Sequence, residues 1–137
     1  MVTNPTNPAS PAKPVKHTLL KVCIGVLGGG LVLFAAYIWL AFQYSYSDGE
    51  RAGFMQKFSR KGWLCKTWEG ELALVAMPGS TPEKFYFTVH DDALAAKINS
   101  QMGQRVAITY EQHKGLPGTC FGDTEYFVHE SRTVTGP

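Results

Sequence analysis

The chain has 137 residues, of which 45% are hydrophobic, and a formal net charge of +2. This length allows one small domain beside a membrane anchor and excludes an enzyme of two full domains. Lys13, Lys16 and Lys21 precede a long apolar segment, which leaves ten of the 13 basic residues against all 11 acidic ones in the remainder. The chain therefore has no general basic footprint, and we do not expect nucleic acid as a partner.

The first residues are rich in proline, asparagine and threonine. This composition predicts a disordered cytoplasmic tail over 1–17. Prolines recur at every third position, a spacing that places their rings along one edge of a polyproline II helix. We interpret the tail as an extended spacer, and a ligand for a proline-recognition domain is the alternative.

An uncharged run without proline, Val22–Phe42, follows the tail. As a helix it spans about 30 Å, the thickness of the hydrocarbon core of a bilayer. It predicts a transmembrane helix over 18–44 that contacts the lipid bilayer. The run is longer than the apolar region of a signal peptide, so we favour an uncleaved signal-anchor. Cleavage just before Asp48, after a small-x-small pattern, is the alternative.

The apolar run contains a GxxxG spacing at Gly25 and Gly29. Small residues four apart let two membrane helices approach closely, so the pair predicts a homodimer seam. The alternative is that glycine is simply frequent in membrane helices.

The basic residues before the helix predict a cytoplasmic N-terminus. Beyond the helix, Cys65 and Cys120 form a pair that suits an oxidising compartment. Together they predict a single-pass protein of the bacterial inner membrane with a periplasmic C-terminal domain.

After the helix we predict a juxtamembrane linker over 45–52, a compact domain over 53–131 and a tail over 132–137. Alternation of apolar and polar residues within the domain predicts five strands. These strands are 53–59, 63–77, 84–90, 104–112 and 125–130. Gly70, inside the second strand, predicts a bulge or sharp coiling there.

A short helix is predicted between the third and fourth strands. Asp91 is a typical N-cap residue, and Leu94, Ile98 and Met102 fall at the spacing of one helical face. Gly103 fits the position that ends the helix.

The order β-β-β-α-β-β is that of an OB-fold, a small Greek-key barrel. The predicted fold is therefore mainly β, a transmembrane helix followed by a five-stranded OB-fold-like barrel; an SH3-like barrel and an open α+β sheet are the alternatives. In an OB-fold the loops joining strands 1–2 and 4–5 flank the binding face, and the two outer cysteines fall at these loops. This predicts a Cys65–Cys120 disulfide, with two free buried thiols as the alternative.

One segment, Lys57–Trp68, combines four cations with two tryptophans and has no acid. Beside the first loop of an OB-fold, such residues could hold a polyanion or stack on bases or sugars. The candidate ligand or partner surface comprises Lys57, Arg60, Lys61, Trp63 and Lys66. The structural alternative places Trp68 in the core and leaves the lysines solvated.

No residue pattern indicates catalysis or metal binding. The three histidines of the outer domain fall on different elements, and neither CxxC nor HxxxH occurs. Glu69 and Glu71 share one strand face about 7 Å apart, a distance that carboxylate pairs can use, but an exposed strand face that carries two acids is far commoner, and we favour it. We therefore expect no catalytic residue, no metal, no cofactor and no enzymatic activity.

The motif residues Tyr46–Arg51, Lys57–Ser59, Lys61–Gly62 and Lys66–Leu72 occur within one stretch, Tyr46–Leu74. This stretch resembles a family of small, uncharacterised single-span bacterial membrane proteins. The resemblance implies a membrane location and no known mechanism. Some of these relatives carry a 6-phosphogluconate dehydrogenase label. The roughly 90 residues that follow the membrane span cannot house the dinucleotide-binding and substrate domains of such an enzyme.

These observations predict a non-enzymatic envelope protein whose outer domain binds a protein partner or helps to assemble a membrane complex. The alternative is a domain that binds an anionic or sugar polymer through Lys57–Trp68.

Overall fold

The computed structural model of the protein describes residues 15–74, 76 and 78–136. The chain divides into two compact units between Tyr37 and Ile38, so that the second unit contains the end of the first helix and all of the strands. The elements are α1 Val15–Gln43, β1 Ser47–Lys61, β2 Thr67–Leu74, β3 Lys84–Val89, α2 Asp92–Ser100, β4 Arg105–Gln112 and β5 Tyr126–Thr133.

Helix α1 is long and apolar enough to cross a membrane, over Lys16–Gln43. Its large apolar side chains are exposed rather than packed in a protein core. The helix covers residues 18–43 of the span predicted over 18–44. It also begins earlier, at Val15, so residues 15–17 of the predicted tail are helical. The rest of the predicted tail, residues 1–14, lies outside the described residues.

The glycines of the predicted dimer seam, Gly25 and Gly29, lie on α1, where an added Cβ atom would meet no other group within 4 Å. The seam stays a prediction.

The five strands pair in the order β1-β2-β3-β5-β4, and β4 pairs in turn with β1, so that the order closes on itself. All pairings are antiparallel except that of β3 with β5, which is parallel and joins Thr88 to Phe127. The prediction of an apolar N-terminal helix followed by a mainly β unit of five strands is confirmed.

Strand β1 is much longer than the predicted segment 53–59. Ser47–Phe54 pairs with β4, and Gly53–Lys61 pairs with β2. Most of the linker predicted over 45–52 is therefore strand. Hydropathy did not reveal it, because residues 47–52 contain no large apolar side chain and are held by their backbone pairing with β4.

Strand β2 begins at Thr67, later than the predicted start at residue 63. The intervening residues form the β1–β2 loop, in which Gly62 has a φ of 125°, a left-handed value that favours glycine. The strand is predicted to end at residue 77, but Met77 and the nearby Val75 lie outside the described residues.

Gly70 does not form the predicted bulge. The register of β1 and β2 shifts between Met55 and Lys57, so the irregularity lies on β1. At Gly70 an added Cβ atom would lie 2.1 Å from Cζ of Phe87. The glycine therefore makes room for this ring in the core.

Strand β5 extends to Thr133, beyond the predicted boundary at residue 131. Arg132 and Thr133 continue the pairing with β4. Ser131 is fully buried, and its hydroxyl donates a hydrogen bond of 2.5 Å to Oε1 of Gln101 at the end of α2. Part of the predicted C-terminal tail is therefore integral to the sheet.

Helix α2 has the predicted N-cap. The Asp91 carboxylate accepts hydrogen bonds from the backbone N–H groups of Ala93, at 3.1 Å, and Leu94, at 3.3 Å. Leu94 and Ile98 are buried, whereas Met102 lies beyond the end of the helix and is exposed. The C-cap residue is therefore Gln101 rather than Gly103.

The apolar core lies inside the closed sheet and under α2. Inward-facing side chains alternate along β2, β3 and β4, as the period of two requires. The buried cluster comprises Met55, Leu72, Phe85, Phe87, Val89, Leu94, Ala95, Ile98, Val106, Ile108 and Val128.

Candidate functional site

An open cavity of about 510 Å³ lies on the outer face of β1, β2 and β3. The face is outer because its residues alternate with inward ones: Lys57 and Ser59 flank Phe58, which packs against the core. The cavity is lined by Lys57, Ser59, Lys61, Glu69, Gly70, Glu71, Tyr86, Asp123 and Thr124.

Glu69 forms the floor of one half of this cavity and is only 6% exposed. Its Oε1 accepts hydrogen bonds from the Thr67 hydroxyl, at 2.7 Å, and from the backbone N–H of Asp123, at 3.1 Å. Its Oε2 accepts one from the Thr88 hydroxyl, at 2.8 Å. A buried carboxylate requires such donors in place of water, so Glu69 ties the β4–β5 loop to the sheet.

The β4–β5 loop lies directly on this half of the face. The backbone of Gly122 approaches β3 so closely that an added Cβ atom would lie 2.5 Å from Oγ1 of Thr88. The loop is also joined to the β1–β2 loop by the predicted disulfide, since the sulfur atoms of Cys65 and Cys120 lie 2.06 Å apart. The loop that borders the cavity is thereby held in place at both the sheet and the disulfide.

The rest of the cavity lining includes the charged side chains of Lys57, Lys61 and Glu71, and Glu71 pairs with Lys84, which lies outside the lining. The ammonium group of Lys84 lies 2.5 Å from Oε1 of Glu71. This hydrogen bond, together with the negative charge of Glu71, raises the pKa of Lys84 above its ordinary value. Tyr86 leaves its ring exposed beside this pair.

The predicted ligand surface is divided in the structure. Lys57 and Lys61 line the cavity. Arg60 projects from the opposite face, with its guanidinium carbon 5.6 Å from the centre of the Trp68 ring. Trp63 and Lys66 are exposed in the β1–β2 loop. Alternation along β1 separates the residues at even and odd positions, so the five do not form one site.

Trp68 fits the structural alternative. Its ring stacks on Phe58, with centroids 5.3 Å apart and the planes inclined by 4°. Its Nε1–H donates a hydrogen bond of 2.8 Å to Oδ1 of Asp92 at the start of α2. This tryptophan therefore joins β2 to the helix at the edge of the core.

Sequence reasoning missed Glu69, Tyr86, Asp123 and Thr124 as members of the site. Alternation placed Glu69 on the same face of β2 as Glu71, but the expectation that this face is exposed is wrong for Glu69, because the β4–β5 loop folds over it. In the described part of the chain, no group of three or more His, Cys, Asp or Glu residues is arranged to hold a metal ion.

No protein-family model matches the chain, and a comparison with curated proteins finds no match. The resemblance carried by Tyr46–Leu74 stays a prediction.

Proposed function

We propose that the protein is a non-enzymatic binding module of the bacterial cell envelope. In this proposal α1 is an uncleaved signal-anchor in the inner membrane, the N-terminus is cytoplasmic, and the strand domain is periplasmic. The length and apolar composition of α1 support the anchor. The lysines that precede the apolar run support the orientation.

The disulfide supports an oxidising compartment for the strand domain, since such bonds are rare where glutathione keeps thiols reduced. The third cysteine, Cys23, is unpaired and lies on α1. The two cysteines that are bonded are therefore those that the proposal places outside the cytoplasm.

The strand domain is proposed to be an OB-like barrel. The closed strand order, the parallel contact of β3 with β5 and the position of α2 between β3 and β4 all support this assignment. In such barrels ligands bind on the face of strands 2 and 3, between the loops that join strands 1–2 and 4–5.

The observation that carries the proposal is the cavity of about 510 Å³ on that same face, lined in part by the β4–β5 loop, which the disulfide joins to the β1–β2 loop. Its open rim combines the cations of Lys57 and Lys61 with the carboxylate of Asp123 and the ring of Tyr86. A rim that carries both signs of charge and an aromatic ring is complementary to a protein segment that carries both signs too. We therefore propose a protein partner.

A second candidate is an anionic or sugar polymer, favoured by the two lysines beside an exposed aromatic ring. The carboxylates of Glu71 and Asp123 in the same cavity oppose a polyanion. Binding of polyphosphate by the full chain in detergent, falling steeply with salt and lost in Lys57→Ala with Lys61→Ala, would favour this candidate over a protein.

Site-specific photo-crosslinking in bacterial cells that express the full chain tests the proposal. With p-benzoyl-phenylalanine in place of Tyr86, we expect one membrane or periplasmic protein to be captured reproducibly. Charge reversal by Lys57→Glu should lower the yield several-fold, because it removes one sign of charge from the rim.

The matched control places the same probe at Thr109, an exposed residue of β4 outside the cavity. Equal capture from Thr109 and Tyr86 would contradict a specific partner on this face. A yield that Lys57→Glu leaves unchanged would contradict the role of the rim charges.

A further inference from the structure

The tip of the β1–β2 loop presents two adjacent apolar side chains to solvent. Trp63 is 100% exposed and Leu64 is 87% exposed, more than any other large hydrophobic residue in the described part of the chain. Both follow Gly62, whose left-handed backbone turns the chain out of β1. An isolated exposed leucine is ordinary, but a tryptophan and a leucine held out together indicate a surface that another apolar phase covers.

A short covalent path joins this tip to the residues around the end of α1. Within the second compact unit, the ring of Phe42 lies 5.2 Å from that of Phe121, edge to face. Phe121 follows Cys120, and Cys120 is bonded to Cys65, which directly follows Leu64. The Cα atoms of the two cysteines are 4.9 Å apart. The apolar tip is therefore tethered close to the point where the apolar helix ends.

The last turn of α1 is fixed to the strand domain by further contacts. The backbone carbonyl of Ala41 lies 3.2 Å from Nδ1 of His113, which is buried. The ring of Phe42 also lies 6.3 Å from that of Phe127 on β5. These contacts hold the β4–β5 loop and the helix end together, and the disulfide extends that connection to the tip.

The chemistry around the tip is that of a membrane–water interface. Lys61 and Lys66 flank Trp63 and Leu64, and no acid lies between them. Shortly after the end of α1, the ammonium group of Lys114 lies 3.8 Å from the centre of the exposed Tyr46 ring. Tryptophan and tyrosine are enriched at the headgroup level, where nearby cations meet anionic lipids.

We propose that the Trp63–Leu64 tip is a second membrane contact, inserted into the interface of the bilayer that α1 spans, with Lys66, which is not part of the cavity, beside lipid phosphates. The inference rests on the proposed function, because it requires α1 to be the anchor. A lipid surface fits better than a protein pocket, since a fully exposed tryptophan and leucine with a cation beside them, joined to the end of an apolar helix, have the chemistry of the headgroup level of an anionic bilayer. Two attachment points restrict the rotation of the domain about its anchor.

Tryptophan fluorescence of the full chain in proteoliposomes tests this proposal. Trp39 lies on α1 and is removed by Trp39→Phe, which leaves Trp63 and the stacked Trp68. The matched control is Trp39→Phe with Trp63→Phe, and the difference between the two proteins reports Trp63 alone. Because Trp63 is fully exposed, its replacement does not disturb the core.

In vesicles that contain phosphatidylglycerol, we expect lipids spin-labelled near the headgroup to quench the fluorescence of Trp63. Iodide in the aqueous phase should quench this fluorescence little. Lys66→Glu should lower the lipid quenching several-fold, because a like charge then faces the lipid phosphates. Lys97→Glu, on the exposed side of α2, is the charge control and should leave the quenching unchanged.

Quenching of Trp63 by iodide and not by lipid overturns the inference, and so does protection from both, which would indicate a protein or a second copy at the tip. Flotation of the vesicles after an alkaline wash separates the two proposals. If the protein stays with the vesicles while Trp63 is not quenched by lipid, the anchor holds and the tip contact fails. If the wash strips the protein, the anchor fails, and the tip contact fails with it.

Discussion

Glu69 and Glu71 project from the same face of β2, two residues apart, yet their surroundings differ completely. Glu69 is buried and accepts three hydrogen bonds, from two threonine hydroxyls and one backbone N–H. Glu71 pairs with the exposed Lys84 beside the open half of the cavity. The β4–β5 loop makes the difference at Glu69, because it packs on Thr88 and donates a backbone N–H to that carboxylate, whereas Glu71 stays 15% exposed.

This difference separates a structural carboxylate from one that a ligand can reach. Under the loop, fixed donors replace water around the charge, and removing the charge leaves those donors without an acceptor. In the open half, water screens the ion pair and competes with it. Substitutions in the covered half should therefore act on stability, and those in the open half on binding.

The largest effect is expected from removing the bond that fastens the covered half. Cys65→Ser with Cys120→Ser should lower the free energy of unfolding by about 4 kcal/mol, because the bond closes a loop with a sequence separation of 55 and restricts the unfolded chain. Guanidinium unfolding of the full chain in detergent measures this. Cys23→Ser is the control and should change nothing, since Cys23 is exposed on α1. A loss no greater than that of the control would refute the prediction.

Glu69→Ala should cost about 3 kcal/mol, because it leaves the Thr67 and Thr88 hydroxyls and a backbone N–H without their acceptor. Glu69→Gln should cost much less. Its amide oxygen can still accept from Thr67 and Asp123, while its NH₂ group can donate to Thr88. Limited proteolysis within residues 113–123 gives a second readout, with faster cleavage expected in Glu69→Ala only. Equal losses in both variants would mean that the charge, rather than the hydrogen bonds, holds the loop.

Gly70→Ala should cost about 2 kcal/mol, because the new methyl group would collide with the Phe87 ring inside the sheet. Gly70 lies between the two carboxylates, so this substitution tests the core that both halves share. Phe87→Leu introduced with Gly70→Ala should recover part of the loss. A double-mutant cycle without favourable coupling would show that the two residues do not compete for the same space.

The smallest effect is expected in the open half. Lys84→Ala should leave the unfolding midpoint almost unchanged, because the Lys84–Glu71 pair is solvent-exposed on the lysine side. Glu71 raises the pKa of Lys84, so any contribution of the pair is present at neutral pH and disappears only as the pH rises through that raised pKa. The difference from the parent protein should thus be constant between about pH 6 and about pH 9. A difference that grows within this range would contradict the assignment.

The elements that could be predicted are those that repeat a local pattern. The Leu94–Ile98 spacing and the Asp91 cap predicted α2, and the alternation of Phe85, Phe87 and Val89 predicted β3. The first half of β1 carries no such pattern, because backbone pairing with β4 holds it. The predicted start of β2 was wrong because the residues before Thr67 form a loop, which Gly62 turns away from β1 and the disulfide holds in place.

The candidate site was predicted only in part. The cations around Trp63 are close together in the sequence and therefore predicted one surface. In the structure, alternation along β1 places Arg60 on the face opposite Lys57 and Lys61. The residues that complete the cavity come from β3 and from the β4–β5 loop, far along the chain. No local pattern places them beside β1, because strand pairing does so.

The sequence by itself determined the apolar helix and the order of the strands along the chain, because these depend on composition and period. The tertiary structure alone decided that Glu69 is buried while Glu71 is not, and that Trp63 and Leu64 are held near the end of α1. The physical reason is that the solvent exposure of a side chain depends on which distant segment of the chain packs over it. That covering is fixed by the disulfide and by the hydrogen bonds of the β4–β5 loop to the sheet.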